Sequence, residues 1–137
     1  MNTDFLDAHQ RHWDDAERLF TAQRWANADH LYGVAAECGL KRLMREFGMA
    51  VDAAGSPSEQ PDRTHANGIW ARYGTYRSGI VGAEYGLPDE NPFGNWNVSD
   101  RYAHQSGFDQ LRAMAHQQGA RRVCDLIAKA RREGLLS

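Results

Sequence analysis

The stretch that decides the fold is residues 26–47, ANADHLYGVAAECGLKRLMREF. Its apolar residues recur at helical spacing along two lines: Leu31, Val34, Ala35 and Cys38 on one, and Ala36, Leu40, Leu43 and Phe47 on the other. A helix with apolar residues on two sides packs against protein on both of them. The pattern therefore predicts that this helix is the central rod of a helical bundle.

Three polar residues, His30, Glu37 and Lys41, fall between these two apolar lines. Their spacing brings them near one another on a helix and points them toward a groove beside the core. Glu37 and Lys41 are therefore candidate ligand-binding residues. The structural alternative, which we favour, is a network in which Glu37 pairs with Arg101 or Arg112 across the bundle.

Helical periodicity extends over most of the chain. It predicts helices over residues 3–23, 25–49, 65–81 and 108–130, with a short helical turn over 99–105 that begins at Ser99. The last helix carries one apolar line, Phe108, Leu111, Ala115, Gly119, Val123, Leu126 and Ala130. Gly134 is placed to cap that helix. No segment alternates in the manner of a strand.

Two segments rich in proline and small polar residues, 53–63 and 86–97, predict long loops. Phe93 and Trp96 indicate that the second loop packs against the helices. The sequence thus predicts an all-α fold in which a single helical-bundle domain spans residues 1–137. Four main helices form an up-and-down bundle, and one short helix is added to them.

Composition narrows the class of protein. The chain has 137 residues, 42% hydrophobic content and a net charge of −2, which argues against a generally basic nucleic-acid binder. Cys38 and Cys124 form no CxxC pair, which predicts free thiols in a reducing compartment. The N-terminus lacks a signal-peptide pattern, and no segment has the length of a membrane span. We expect a soluble cytoplasmic protein with no membrane partner.

Two segments carry a resemblance to a known family. The chain has a long first helix, a second helix with AAECGLKRLM at residues 35–44, a proline-rich loop, and then WNVSDRY at residues 96–102. This order resembles the HEPN superfamily of helical domains. The resemblance implies an RNA- or nucleotide-binding protein of a toxin-antitoxin or defence-type system, with ribonuclease activity in many members. It also implies a homodimer or a protein partner.

Members that cleave RNA carry an arginine followed after four to six residues by a histidine, and this chain departs from that spacing. Arg101 precedes His104 by two intervening residues, and Arg112 precedes His116 by three. The chemistry needs an arginine to stabilise the phosphorane charge and a histidine to move a proton. His104 and His116 are therefore the candidate catalytic residues, although neither pair has the spacing of the members that cleave RNA.

Arg101, Tyr102 and Arg112 are the candidate ligand-binding residues beside these histidines. Arg101 is a candidate phosphate clamp and Tyr102 a stacking or hydroxyl donor. Both also have a structural interpretation, because a polar cluster at a helix entrance caps and anchors a loop. An inward-facing Arg112 needs an acidic partner such as Glu37 or Asp100, and we favour that structural interpretation.

Two further alternatives come from other classes of protein. His9, His12 and His30 are spaced to supply three nitrogen ligands to zinc, as in a metal-dependent bundle enzyme, although no HExxH motif accompanies them. No phosphate loop or nucleophile motif is present, and we expect no cofactor. The remaining alternative is a non-catalytic protein-interaction subunit.

Overall fold

The computed structural model describes residues 1–77 and 79–136, apart from the side chain of Ile80. Its helices are α1 (Phe5–Thr21), α2 (Trp25–Glu46), α3 (Ala66–Gly74), α4 (Ile80–Ala83) and α5 (Gln110–Arg132). Single 3-10 turns occupy Gln60–Asp62, Val98–Tyr102 and Gln105–Gly107. This part of the chain contains no β-strand, which confirms the all-α prediction. None of its helices is long and apolar enough to cross a membrane.

Helix α2 is the centre of the bundle, as the two apolar lines predict. It packs against α1 on one flank and against α5 and α3 on the others. Its buried residues cover most of its circumference: Ala28, Asp29, Tyr32, Gly33, Ala35, Ala36, Cys38, Gly39, Leu40, Lys41, Leu43 and Met44. Other helices of the same chain therefore cover both flanks of α2.

Two glycines let neighbouring groups approach the backbone of α2 closely. A Cβ atom on Gly33 would lie 2.2 Å from the indole ring of Trp96. On Gly39 it would lie 2.5 Å from Val123 Cγ1 and 2.7 Å from His9 Nδ1. No side chain fits at either position without moving these neighbours, so the two glycines set how tightly α1, α5 and the long loop pack on α2.

The chain directions differ from a simple up-and-down order. Helices α1 and α2 are antiparallel, as expected for a hairpin with a three-residue joint. Helices α2 and α5 instead run in the same direction, because Asp29 contacts His116 and Gly39 faces Val123 further along both helices. The long segment between α4 and α5 returns the chain to the end of the bundle where α2 begins, as parallel neighbours require.

The predicted helix over residues 65–81 is interrupted. Helix α3 ends at Gly74, a turn follows, and the four-residue α4 begins at Ile80. Glycine costs about 1 kcal/mol relative to alanine inside a helix, so Gly74 and Gly79 favour a break here. Ser78, which the predicted helix included, lies outside the described residues. Gly134 adopts a positive φ of 77° after α5, which confirms it as the cap.

The apolar line predicted for α5 is wrong in its first half. Leu111 is 71% exposed and Ala115 is also exposed. The buried line is Ala113, His116, Gly119, Ala120, Val123, Ile127 and Ala130. The helix is rotated because His116 turns inward to meet a buried carboxylate, so a polar residue occupies a core position that hydrophobic periodicity does not reveal.

Both cysteines are free, as predicted. Cys38 is buried and Cys124 is half-buried. Burial raises the pKa of each thiol to about 12, so both remain protonated at neutral pH. They behave as small packed side chains rather than as nucleophiles.

The loop over residues 86–97 packs against the bundle through its two aromatic side chains, as predicted. Phe93 is fully buried against the backbone of Gly119, and Trp96 is 2% exposed. Trp96 Nε1 donates a hydrogen bond of 3.2 Å to the backbone oxygen of Asp29. This contact ties the end of the loop to the first turns of α2.

We expect Trp96→Ala to lower the free energy of unfolding by about 3–5 kcal/mol, because it removes a buried aromatic ring and leaves a cavity. Thermal and chemical unfolding followed by circular dichroism measure the change. Tyr102→Ala is the matched control, since Tyr102 is 79% exposed and its removal leaves no cavity. Equal stability of the two variants would contradict the anchoring role of Trp96.

Candidate functional site

An open groove of about 440 Å³ lies where the start of α2 meets the 3-10 turns that precede α5. One wall comes from the joint between α1 and α2 and the first turn of α2: Gln23, Arg24, Trp25, Ala26 and Asn27. The other comes from the two turns: Asp100, Arg101, Ala103, His104, Gln105 and Ser106. The groove therefore brings together residues that are about 75 positions apart in the sequence.

The lining of this groove favours an anion. Arg24 and Arg101 each contribute a guanidinium group, and His104 adds an imidazole. Helix α2 begins at Trp25 without a side-chain cap, so its first backbone N–H groups have no side-chain acceptor. The partial positive charge at this helix end adds to that of the arginines. Asp100 is the one acidic residue of the lining.

Arg101 and Tyr102 form a stacked pair at the edge of the groove. The guanidinium carbon of Arg101 lies 4.8 Å from the centroid of the Tyr102 ring. Both side chains are exposed, and among the side chains that the structure describes Tyr102 is the most exposed large hydrophobic one after Met1. The pair offers a cation and an aromatic face side by side. Asn97 rather than the predicted Ser99 caps their turn, because its Oδ1 accepts from the backbone N–H of Ser99.

His104 is held in a defined orientation because its side chain caps the 3-10 turn Gln105–Gly107. Its Nδ1 accepts a hydrogen bond of 3.1 Å from the backbone N–H of Ser106 and lies 2.9 Å from the Ser106 hydroxyl. In the neutral ring the proton is therefore on Nε2. The side chain is exposed, so this histidine is accessible from the groove.

His116 lies in the core instead. Its Nδ1 donates a hydrogen bond of 2.5 Å to Asp29 Oδ1, and its Nε2 lies 2.7 Å from Asn95 Oδ1. Both the His116 and Asp29 side chains are 1% exposed, and the imidazole stacks on Phe93. With both ring nitrogens engaged, His116 has no free position for a substrate.

Arg112 belongs to the same network. Its Nη2 donates hydrogen bonds of 2.6 Å to the backbone oxygen of Asn95 and 3.3 Å to Asp100 Oδ2. Its Nε lies 3.7 Å from Asp29 Oδ2, which is within ion-pair distance but too long for a hydrogen bond. Of the two acidic partners predicted for Arg112, Asp100 is confirmed and Glu37 is wrong. Arg112 and Arg101 therefore do not converge as free cations on the groove.

Glu37 and Lys41 form a separate cluster further along α2. Lys41 Nζ donates a 2.9 Å hydrogen bond to Glu37 Oε2, and His65 Nδ1 lies 3.0 Å from the other carboxylate oxygen. The lysine and glutamate side chains are only 6% and 13% exposed. Glu37 lies about two turns beyond Asp29, roughly 12 Å at 1.5 Å per residue, so it does not reach Arg101 or Arg112. Neither residue lines the groove.

The zinc alternative predicted that His9, His12 and His30 converge on one metal ion. The structure does not bring the three side chains together in this way. His9 is buried, and its Nδ1 donates a 2.8 Å hydrogen bond to the backbone oxygen of Ala35. His30 stacks on Trp96, with ring centroids 5.6 Å apart. Across residues 1–77 and 79–136, no group of three or more His, Cys, Asp or Glu side chains is arranged to hold a metal ion.

Sequence reasoning missed Arg24 and Trp25 on the groove wall, and Asp29 and Asn95 in the network. The sequence did contain one signal for the role of Asp29. Asp29 stands between Ala28 and the apolar residues of the next turn, inside the segment that predicts the central helix. An acid at such a position needs a cationic partner. The groove wall gave no local signal, because it is formed by the meeting of two distant segments.

Comparison of the chain with protein-family models, with curated proteins and with solved structures gave no match. The candidate site is therefore described by its own geometry and charge. It consists of the groove, with Arg24, Arg101 and His104, and of the buried network beside it.

We expect His9 to make the protein sensitive to acid. Burial lowers the pKa of His9 below its ordinary value of 6.5, so below pH 6.5 the unfolded chain binds a proton that the folded chain does not. As the pH decreases below 6.5, the free energy of unfolding should therefore decrease by up to about 1.4 kcal/mol per pH unit through this histidine. His9→Gln should reduce the slope of unfolding free energy against pH between 6.5 and 5. An unchanged slope would show that His9 does not contribute.

Proposed function

We propose that this chain is an RNA- or nucleotide-binding protein whose ligand phosphates lie in the groove at the start of α2. The observation that carries the proposal is that Arg24, Arg101 and His104 line one accessible groove. Hydrogen bonds from arginine to phosphate are charge-assisted and about twice as strong as neutral ones. The net charge of −2 does not oppose this, because recognition depends on the local cluster.

Aromatic side chains beside the arginines support nucleotides over other anions. Trp25 lines the groove and Tyr102 lies next to Arg101 at its edge. Trp25 is held by an edge-to-face contact with Phe20, with ring centroids 5.1 Å apart. Single-stranded nucleic acids bind proteins through such combinations of cations for the backbone and rings for the bases.

We further propose that the protein is an HEPN-like member of a toxin-antitoxin or defence-type system. The support is the resemblance of residues 35–44 and 96–102 to that superfamily, together with the all-α bundle. The first segment lies in the central helix, and the second ends in the turn that carries Arg101 into the groove.

Cleavage of RNA at this groove would use Arg101 and His104. Arg101 would stabilise negative charge on the phosphorane, and His104, whose Nε2 carries the proton, would protonate the departing 5′-oxygen while the attacking 2′-hydroxyl gives its proton to water. His116 is less suited to this step, since Asp29 and Asn95 occupy both of its nitrogens. His104→Ala should abolish any turnover of an RNA substrate while much of the binding is kept.

We expect Arg101→Ala and Arg24→Ala each to weaken binding of a fluorescein-labelled single-stranded hexauridylate by about tenfold, because each loses a charge-assisted phosphate contact. The slope of log affinity against log salt should also decrease by about one per lost contact. Fluorescence anisotropy at several NaCl concentrations measures both quantities, and circular dichroism checks that the helices are intact.

Arg122→Ala is the matched control, since Arg122 is an exposed arginine of α5 outside the groove. Equal losses in Arg122→Ala and Arg101→Ala would mean that binding depends only on overall charge. Absence of binding by the wild-type protein would contradict the proposed function.

A non-catalytic interaction subunit is the second candidate, and exposed apolar side chains favour it. Leu111 is 71% exposed on the first turn of α5, and Tyr102 is 79% exposed. Tyrosine is among the residue types enriched at protein interfaces relative to the rest of the surface. Helix α2 itself does not require a second subunit, because its flanks are already covered by α1, α3 and α5.

We expect the protein to form a homodimer at micromolar concentration, with Leu111 in the interface. Sedimentation velocity should give a dimer for the wild-type chain and a monomer for Leu111→Glu, since a buried charge opposes association. A wild-type monomer throughout this range, with no co-purifying protein, would remove the dimer proposal.

A further inference from the structure

Asp100 belongs both to the groove and to the buried network. Its side chain is 32% exposed and lines the groove, and its Oδ2 accepts a hydrogen bond from Arg112 Nη2. Arg112 is itself 27% exposed. Asp100 therefore connects the groove, which it lines, to Arg112, which it contacts and which is not among the lining residues.

The contact between Asp100 and Arg112 is loose for an ion pair. Its length is 3.3 Å, against about 2.7–2.9 Å for a strong hydrogen bond between charged groups. Arg112 is also held without Asp100, because Nη2 donates to the Asn95 backbone oxygen and Nε faces the carboxylate of Asp29. If Asp100 moved away, Arg112 would stay in place with a donor free for another anion.

We propose that Arg112 is a masked phosphate ligand of the groove, and that Asp100 is an internal anion which a bound phosphate displaces. This inference rests on the proposed function of the groove. Phosphate and carboxylate both offer a pair of anionic oxygens to a guanidinium, so a phosphate can take the place of the Asp100 carboxylate on Arg112. A phosphate that reaches Arg112 thus replaces a long contact with a shorter one.

Asp100 in this arrangement is an autoinhibitory contact. In the free protein it neutralises Arg112 and adds a negative charge to the lining. In the complex it rotates into solvent, for which its partial exposure leaves room. The ligand class is a phosphate-bearing chain or nucleotide that occupies the Arg101 end of the groove and extends to Arg112.

The test is a double-mutant cycle on Asp100 and Arg112, read by the affinity for labelled hexauridylate. Asp100→Asn should bind on the order of tenfold tighter than the wild type, because Arg112 is unmasked. In the Arg112→Gln background, Asp100→Asn should give no gain. Asp100→Glu, which keeps the carboxylate, should resemble the wild type.

A gain from Asp100→Asn that persists in the Arg112→Gln background would overturn the proposal, since Asp100 would then act only by repelling the ligand. Asp125→Asn, at an exposed acid of α5, controls for net charge and should not change the affinity. The same series with ADP in competition separates a nucleotide ligand from an RNA chain.

A second measurement stays informative where Arg112→Gln fails to fold. The Nε–H of Arg112 has no hydrogen-bond partner, and its ¹⁵N–¹H NMR signal should shift when hexauridylate is added to the wild-type protein. Binding that depends on Arg101 but leaves this signal unmoved overturns the inference alone. Absence of binding by the wild-type protein and by Asp100→Asn alike overturns the proposed function, and the inference with it.

Discussion

The buried carboxylate of Asp29 is the interaction on which the rest of the arrangement depends. A carboxyl group with 1% of its side chain exposed is too costly to leave without partners, so the fold must bring hydrogen-bond donors to it. Helix α5 supplies the guanidinium of Arg112 and, as a hydrogen-bond donor, the ring of His116. The backbone oxygen of the same residue receives Trp96 Nε1. One position in α2 thus sets the rotation of α5 and the end of the long loop.

The groove is a consequence of this network. Asn95 and Asp100 belong to the segment that carries Arg101 and His104, and both contact Arg112. The network therefore holds that segment against the start of α2, where Arg24 and Trp25 form the other wall. The network also separates the two arginine–histidine pairs. Arg101 and His104, in the turns, line the groove. Arg112 and His116, in α5, are instead engaged by the carboxyl groups of Asp29 and Asp100 and by Asn95.

Burial changes what a histidine or a lysine in this bundle can do. Burial lowers the pKa values of His9, His12 and His30, most directly through loss of solvation. His9 satisfies a backbone oxygen of α2, and Lys41 satisfies Glu37. These polar groups therefore stabilise contacts between elements. The histidines with helical spacing looked suited to a metal, yet spacing along one helix does not show whether the side chains are free.

Local periodicity and composition were enough to predict several features of this protein. These are the all-α class, the central position of α2, the burial of Phe93 and Trp96, the free thiols and the glycine cap of α5. The tertiary structure alone decided the parallel direction of α2 and α5, the exposed position of Leu111, and Asp100 as the acidic partner of Arg112 in place of Glu37. The physical reason is that ion pairs and groove walls join residues distant along the chain: Asp29 and His116 are 87 positions apart. Helical periodicity relates only residues a few positions apart, so it could not predict a contact over this separation. Only the packing of the folded chain brings the two side chains together.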